Sequence, residues 1–176
     1  LGEVTYFSPL ADTSLPDAGF VYLPGGYPEL YLAALSANRQ MLQSIRRYVE
    51  SGGKLLAECG GMMYLCDEIR DKNGYVYPMA GVLHQSATME NMKLRLGYRT
   101  LLYNETRLKG HEFHYSRLVE QQNPLPSCAV AYTAKGVETD TPLYHYKNVW
   151  AGYTHLYWAD PVGNEWFTKF VIDGNI

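Results

Sequence analysis

Apolar positions follow one rule in the first half of the chain and another in the second. Glu3–Phe7 alternates as a strand does, and Gly19–Leu23 is nearly all apolar, as a parallel strand covered on both faces requires. Pro24-Gly25-Gly26-Tyr27-Pro28-Glu29 follows and opens a helical stretch, with Pro28 suited to a first helical position. Met41, Leu42, Ile45, Tyr48 and Val49 recur at helical spacing and predict a helix over Asn38–Glu50, with Gly52 placed to close it. Lys54–Glu58 reads as the next strand, and Gly60 to about Glu68 as the helix after it. Strands alternating with helices imply βαβ units, a parallel sheet and an α/β fold, with sites outside the carboxyl ends of the strands. The turns Gly25-Gly26 and Gly60-Gly61 both lie at such ends.

Helical periodicity then weakens. Asn73-Gly74 is a two-residue hairpin signal, and Leu94–Tyr103, Gly110–Leu118, Ala129–Thr133 and Leu143–Trp158 are rich in Tyr, His, Val and Leu. These runs predict mostly antiparallel strands that extend the sheet or form a second one. A last helix fits Gly163–Ile172, with Trp166, Phe167, Phe170 and Val171 on its buried side.

Composition narrows the function. A chain of 176 residues suits one domain with a core that needs neither disulfides nor metal. A net charge of −3, with 19% charged residues, offers no basic field to nucleic acid. No apolar run is long enough to span a bilayer. Three cysteines without metal spacing suit a reducing cytoplasm. The chain starts without Met, inside an alternating stretch, which suggests a piece of a longer polypeptide.

The strongest chemical signal is Lys54-Leu55-Leu56-Ala57-Glu58-Cys59-Gly60-Gly61-Met62-Met63. An apolar strand ends in a cysteine, two glycines follow and a helix begins. So sharp a turn pushes the side chain out of the sheet, above unpaired backbone N–H groups that favour negative charge. A free thiol with pKa near 8.5 is only about 3% thiolate at pH 7, so this placement describes an activated nucleophile. Cys66 and Cys128 fit buried structural cysteines instead. A cysteine nucleophile needs a histidine in hydrogen-bond reach. His155, in Tyr153-Thr154-His155-Leu156, is the best candidate, in a strand-like segment just before a loop. His111 and His114 lie three apart in a predicted strand and face opposite sides, which is not the i, i+4 spacing of a helical zinc site, so no metal is expected. One of that pair should face the core or site and the other solvent. His84 and His145 read as satisfied surface or core histidines.

Together, Pro24-Gly25-Gly26-Tyr27-Pro28-Glu29, Ala57-Glu58-Cys59-Gly60-Gly61 and Tyr153-Thr154-His155-Leu156 resemble the class I glutamine amidotransferase domains of the cobyrinic acid/cobyric acid synthase group. Leu96-Gly97-Tyr98-Arg99 and Gly110-His111-Glu112-Phe113-His114-Tyr115-Ser116 narrow the likeness to the glutaminase domains of cobyrinic acid a,c-diamide synthases. The resemblance implies a flavodoxin-like, mostly parallel sheet flanked by helices, with residues 1–176 forming one glutaminase domain that lacks its first strand and helix. It implies that L-glutamine is the substrate, with Cys59 as nucleophile and His155 as general base. Gly26 and Gly60 would supply oxyanion-hole N–H groups, in substrate-binding turns that include Gly25 and Gly61. It implies further that ammonia passes to an N-terminal ATP-binding synthetase domain of the same polypeptide. There ATP and Mg would activate the a and c carboxylates of a corrin precursor. This chain has no Gly-x-x-x-x-Gly-Lys-Ser/Thr, so no cofactor is expected on it.

Two departures from the family pattern stand out. Many class I glutaminases carry Glu two residues after the histidine, where this chain has Tyr157, so a Cys–His dyad is expected and the group orienting the imidazole is open. Glu112 is a candidate for it, with His111 and His114 as further supporting residues. Ala57 stands where wider relatives have Gly, and remains small. The alternatives are a cysteine hydrolase of the same architecture, the glutaminase of a cobyric acid synthase or a cell-wall amidating enzyme, and a non-catalytic domain that docks on its synthetase.

Overall fold

The computed structural model describes residues 2–173. Its central sheet has the order β1-β2-β12-β11, formed by β1 (Phe20–Leu23), β2 (Lys54–Glu58), β12 (Val149–Gly152) and β11 (Leu143–Tyr146). The first three are parallel, with Leu55 opposite both Val21 and Val149, and β11 closes the edge antiparallel. Residues alternate across β2 as the pleat requires. Leu55 and Ala57 face a core of Met41, Ile45, Val49, Met62, Val149 and Ala151, whereas Leu56 faces a second core with Trp150, Leu101, Leu108, Trp166 and Phe170.

The helices divide accordingly. α1 (Leu32–Ala37), α2 (Arg39–Glu50) and α3 (Gly60–Leu65) contribute to the first core, and α4 (Pro161–Asp173) to the second. Pro28 opens a short 3-10 turn, Pro28–Leu30, ahead of α1. Asn38 caps α2 by accepting a hydrogen bond from the Met41 N–H (3.3 Å), and its amide donates to the carbonyls of Pro9 and Asp12, both at 2.8 Å. One side chain thus starts a helix and pins the N-terminal loop.

The rest of the strands, all but one of them between β2 and β11, build two smaller sheets. The first, of order β4-β3-β5-β8, uses β3 (Glu68–Arg70), β4 (Val76–Pro78), β5 (Ser86–Thr88) and β8 (Arg117–Leu118). The second, β10-β9-β6-β7-β13, is antiparallel and joins β6 (Arg95–Tyr103), β7 (Thr106–His114), β9 (Val130–Thr133), β10 (Glu138–Thr139) and β13 (His155–Leu156).

Several expectations change. Glu3–Phe7 is not a strand: among the described residues none pairs with it, and alternation without a partner leaves only a surface segment whose Phe7 touches the first core. The helix after Cys59 ends at Leu65, because Glu68–Arg70 is recruited as a strand between β4 and β5. The Asn73-Gly74 hairpin forms, with Asp71 organising a wider loop by accepting from the N–H groups of Asn73 (2.8 Å) and Tyr75 (3.0 Å). Leu143–Trp158 is divided: β12 joins the central sheet parallel to β2, and β13 crosses to the antiparallel sheet. That crossing carries His155 to its place.

Candidate active site

Cys59 follows β2 directly, with φ +49° and ψ −110°. Positive φ is costly for a residue with a Cβ and persists only where neighbours enforce it. Here the Cys59 N–H donates to the Gly152 carbonyl (2.8 Å) and the Cys59 carbonyl accepts from the Met63 N–H (3.0 Å), so strand and helix grip the residue from both sides. The glycines that follow answer to space. A Cβ on Gly60 would lie 2.4 Å from the Gly26 carbonyl oxygen, and one on Gly61 would lie 2.3 Å from that of Leu23. The two glycine turns therefore meet backbone to backbone, which no larger residue allows.

The Gly25 turn also meets the histidine, since a Cβ there would sit 2.2 Å from His155 Cε1. His155, opposite His111 in the β13–β7 ladder, stacks on the His111 ring at a centroid distance of 5.1 Å. Its imidazole interacts with Cys59 and with Glu58, whose Oε2 is 3.5 Å from Nδ1. The hydrogen bond to Cys59 and then that to Glu58 push the His155 pKa up to about 9, against the opposing effect of burial. Cys59 is only 5% exposed, and its thiol is hydrogen-bonded to the His155 imidazole. The other thiols differ. Burial pushes Cys66 well above the usual range and Cys128 up to about 11, so both favour the protonated form.

Cys59, His155, Gly25, Gly26, Gly60, Gly61 and His111 thus come together. His114 and Glu112 do not join them. His114 is buried, stacks on Tyr153 at 3.8 Å and hydrogen-bonds the Ser116 carbonyl through Nδ1 (2.9 Å). Glu112, wholly buried, pairs with Arg99 (2.9 Å) and accepts from the Thr154 hydroxyl (3.3 Å). Burial pushes its carboxyl up, but hydrogen bonds from His114 and Thr141 and the Arg99 charge outweigh that and hold it below the usual carboxylate range. The carboxylate beside the candidate base is Glu58, which sequence reasoning missed. Its one visible signal was a charged residue ending an apolar strand, a position that ought to be costly unless it is used. Tyr157 is 59% exposed, and the rings of His84 and His145 lie elsewhere, against Tyr146 and Trp150 respectively. Among the described residues no cluster of three His, Cys, Asp or Glu is arranged to hold a metal ion.

Residues 2–162 match the family described as the CobB/CobQ-like glutamine amidotransferase domain. A hydrogenobyrinate a,c-diamide synthase of Pseudomonas aeruginosa is 39% identical over 160 residues, covering 88% of this chain and 35% of the relative. A cobyrinate a,c-diamide synthase of Fusobacterium nucleatum is 39% identical over 163 residues, with the same two coverages. The chain thus spans about a third of the length of these curated relatives. Among solved structures, one described as a glutamine amidotransferase superposes with a TM-score of 0.56 at 18% identity, covering 87% of this chain and 78% of that one, a likeness of fold. Sequence, fold and the two facing glycine turns agree, and the chain belongs to the CobB/CobQ-like glutamine amidotransferase domain family.

Proposed function

We propose that the chain hydrolyses L-glutamine through a Cys59–His155 pair and supplies the ammonia to an ATP-dependent synthetase portion of the same polypeptide, for amidation of the a and c carboxylates of cobyrinic or hydrogenobyrinic acid. The observation that carries this reading is Cys59 held at positive φ on a strand-to-helix bend, beside an imidazole whose pKa it raises.

In the proposed cycle the Cys59 thiolate attacks the carboxamide carbon, forming an S–C bond as the C=O electrons move onto oxygen. The oxyanion lies towards the N–H groups of Gly26 and Gly60, and each such donor is typically worth about 3 kcal/mol of barrier. Collapse breaks the C–N bond, and the His155 imidazolium gives its proton to the departing nitrogen, releasing ammonia. A water, deprotonated by the same imidazole, then cleaves the γ-glutamyl thioester and frees glutamate. A raised His155 pKa suits the first half of this cycle, in which thiolate and imidazolium coexist.

The chain has no glycine-rich phosphate loop ending in Lys-Ser/Thr, and no step is assigned to ATP here. The substrate class rests on the named relatives, which are a,c-diamide synthases of cobyrinate and hydrogenobyrinate. The test is glutamate release from glutamine by this chain, alone and within the full-length polypeptide, for wild type and Cys59→Ser. Loss of glutamate release in Cys59→Ser, together with its retained ability to support corrin amidation from added ammonia, is the expected result. A Cys59→Ser protein with undiminished hydrolysis overturns it.

A further inference from the structure

We propose that Glu58 is the positioning residue of the Cys59–His155 pair, a carboxylate carried on the residue immediately before the nucleophile and itself held by Tyr22. The proposal deepens the glutaminase reading and rests on it for its kinetic consequences, though not for its geometry.

Glu58 is 3% exposed and each of its oxygens is engaged. Oε1 accepts from the backbone N–H of Leu156 (3.1 Å), Oε2 accepts from the Tyr22 hydroxyl (2.7 Å), and Oε2 faces His155 Nδ1 at 3.5 Å. One side chain therefore holds both the ring of His155 and the backbone just beyond it. With Nδ1 turned to Glu58, Nε2 is the ring nitrogen left for the thiol and the departing ammonia, so the carboxylate selects the tautomer as well as the orientation.

Charge bookkeeping points the same way. Among the described residues the ion-pair partner of Glu58 is His155, and no lysine or arginine pairs with it. A buried carboxylate without a counter-charge is costly, so Glu58 favours the imidazolium that must exist while Cys59 is a thiolate. Because Glu58 and Cys59 are consecutive, nucleophile and anchor move as one rigid unit at the end of β2. The titratable groups facing His155 are Cys59 at the bend, Glu58 of β2 with Tyr22 of β1 behind it, and His111 of β7 stacked on the ring.

The test is Glu58→Gln, which keeps the size of the side chain and an acceptor oxygen but removes the charge, read in two ways. NMR titration of His155 is made in a Cys59→Ser background, where the thiol no longer contributes. There Glu58→Gln should lower the midpoint by about one pH unit or more. In the otherwise wild-type chain, kcat for glutamine hydrolysis should fall on the order of 10- to 100-fold, with KM within about twofold and the pH profile displaced. An unchanged His155 midpoint in folded Glu58→Gln overturns the proposal, as does an unchanged kcat and pH profile. If Glu58→Gln does not fold, Tyr22→Phe carries the test, since it removes the phenol donor from Glu58 Oε2, the oxygen that faces His155, without altering any charge. A several-fold fall in kcat with a displaced profile supports the proposal, and wild-type rate and profile reject it. A full-length polypeptide that shows the NMR shift but hydrolyses no glutamine sinks the glutaminase reading while leaving the positioning role of Glu58 intact.

Discussion

Glu58 and Glu112 are both buried carboxylates on strands, each near a histidine, and they do different things. Glu112 meets a guanidinium, since Arg99 pairs with it at 2.9 Å while the side chains of Thr154 and Thr141 supply hydrogen bonds. Its charge is neutralised chiefly by that guanidinium, inside a cluster where His114 Nε2 also lies 3.8 Å from it while the ring stacks on Tyr153 and bonds the Ser116 carbonyl. Glu58 has a phenol and a backbone N–H for donors and an imidazole for a counter-charge, and that imidazole also reaches a thiol. A buried carboxylate is spent on stability when a permanent cation faces it. It remains open to chemistry when the cation beside it can lose its proton.

The largest expected effect separates the two regions outright. Cys59→Ala should cut glutamate release by on the order of a thousandfold or more at unchanged thermal stability, because the proposed cycle is then left without its nucleophile. No change at Glu112 should approach that in the rate of the folded protein. Glu112→Gln should instead destabilise by roughly 3 kcal/mol in denaturant unfolding, because it leaves Arg99 buried without its partner. If that variant is as stable as wild type but catalytically dead, the division drawn above is wrong.

Gly25→Ala comes next. Its Cβ would arrive 2.2 Å from His155 Cε1, so the ring must move while the neighbouring backbone can stay. We expect kcat to fall on the order of 100-fold with unfolding stability within about 1 kcal/mol of wild type. Gly19→Ala, where a Cβ meets nothing within 4 Å, serves as the control for a glycine change alone.

The smallest effect is a contrast in pH. The folded-state pKa of His155 is raised to about 9, so its contribution is complete below its ordinary value of 6.5 and is lost as pH rises through about 9. Discounted for the partial exposure of the ring, this amounts to about 1 kcal/mol, and His155→Gln should flatten that alkaline slope. The pKa of Glu112 is lowered, so its contribution is present above the ordinary carboxyl range and fades as pH falls through the depressed folded value. Unfolding profiles of His155→Gln and Glu112→Gln should therefore depart from wild type at opposite ends of the pH scale. Departures at the same end would merge the two regions into one.

Much of this was legible in the chain because it is local. The bounds of β2, the start of α2 at Asn38 and the bend at Cys59 follow from neighbours within a few residues, where period, caps and glycine act. What was missed is short and depends on pairing. β10 and β13 have two residues each, too few to show a period, and Glu3–Phe7 alternates with no strand beside it. Glu112 drew attention because it stands between two histidines in sequence, but β7 turns alternate residues to opposite faces, so His111 goes out to the site while Glu112 and His114 go in.

The sequence alone determined the succession β1, α2, β2 and α3, a thiol on a glycine-flanked bend and an α/β architecture, since each of these is written in residues that touch their neighbours along the chain. Which carboxylate meets the imidazole was decided only by the tertiary structure. Glu58 reaches Leu156 across a separation of 98 residues, and that contact exists because β12 lies parallel beside β2 and the chain then crosses to β13. Charge and hydrogen bonding act through space, and only the folded chain sets those distances.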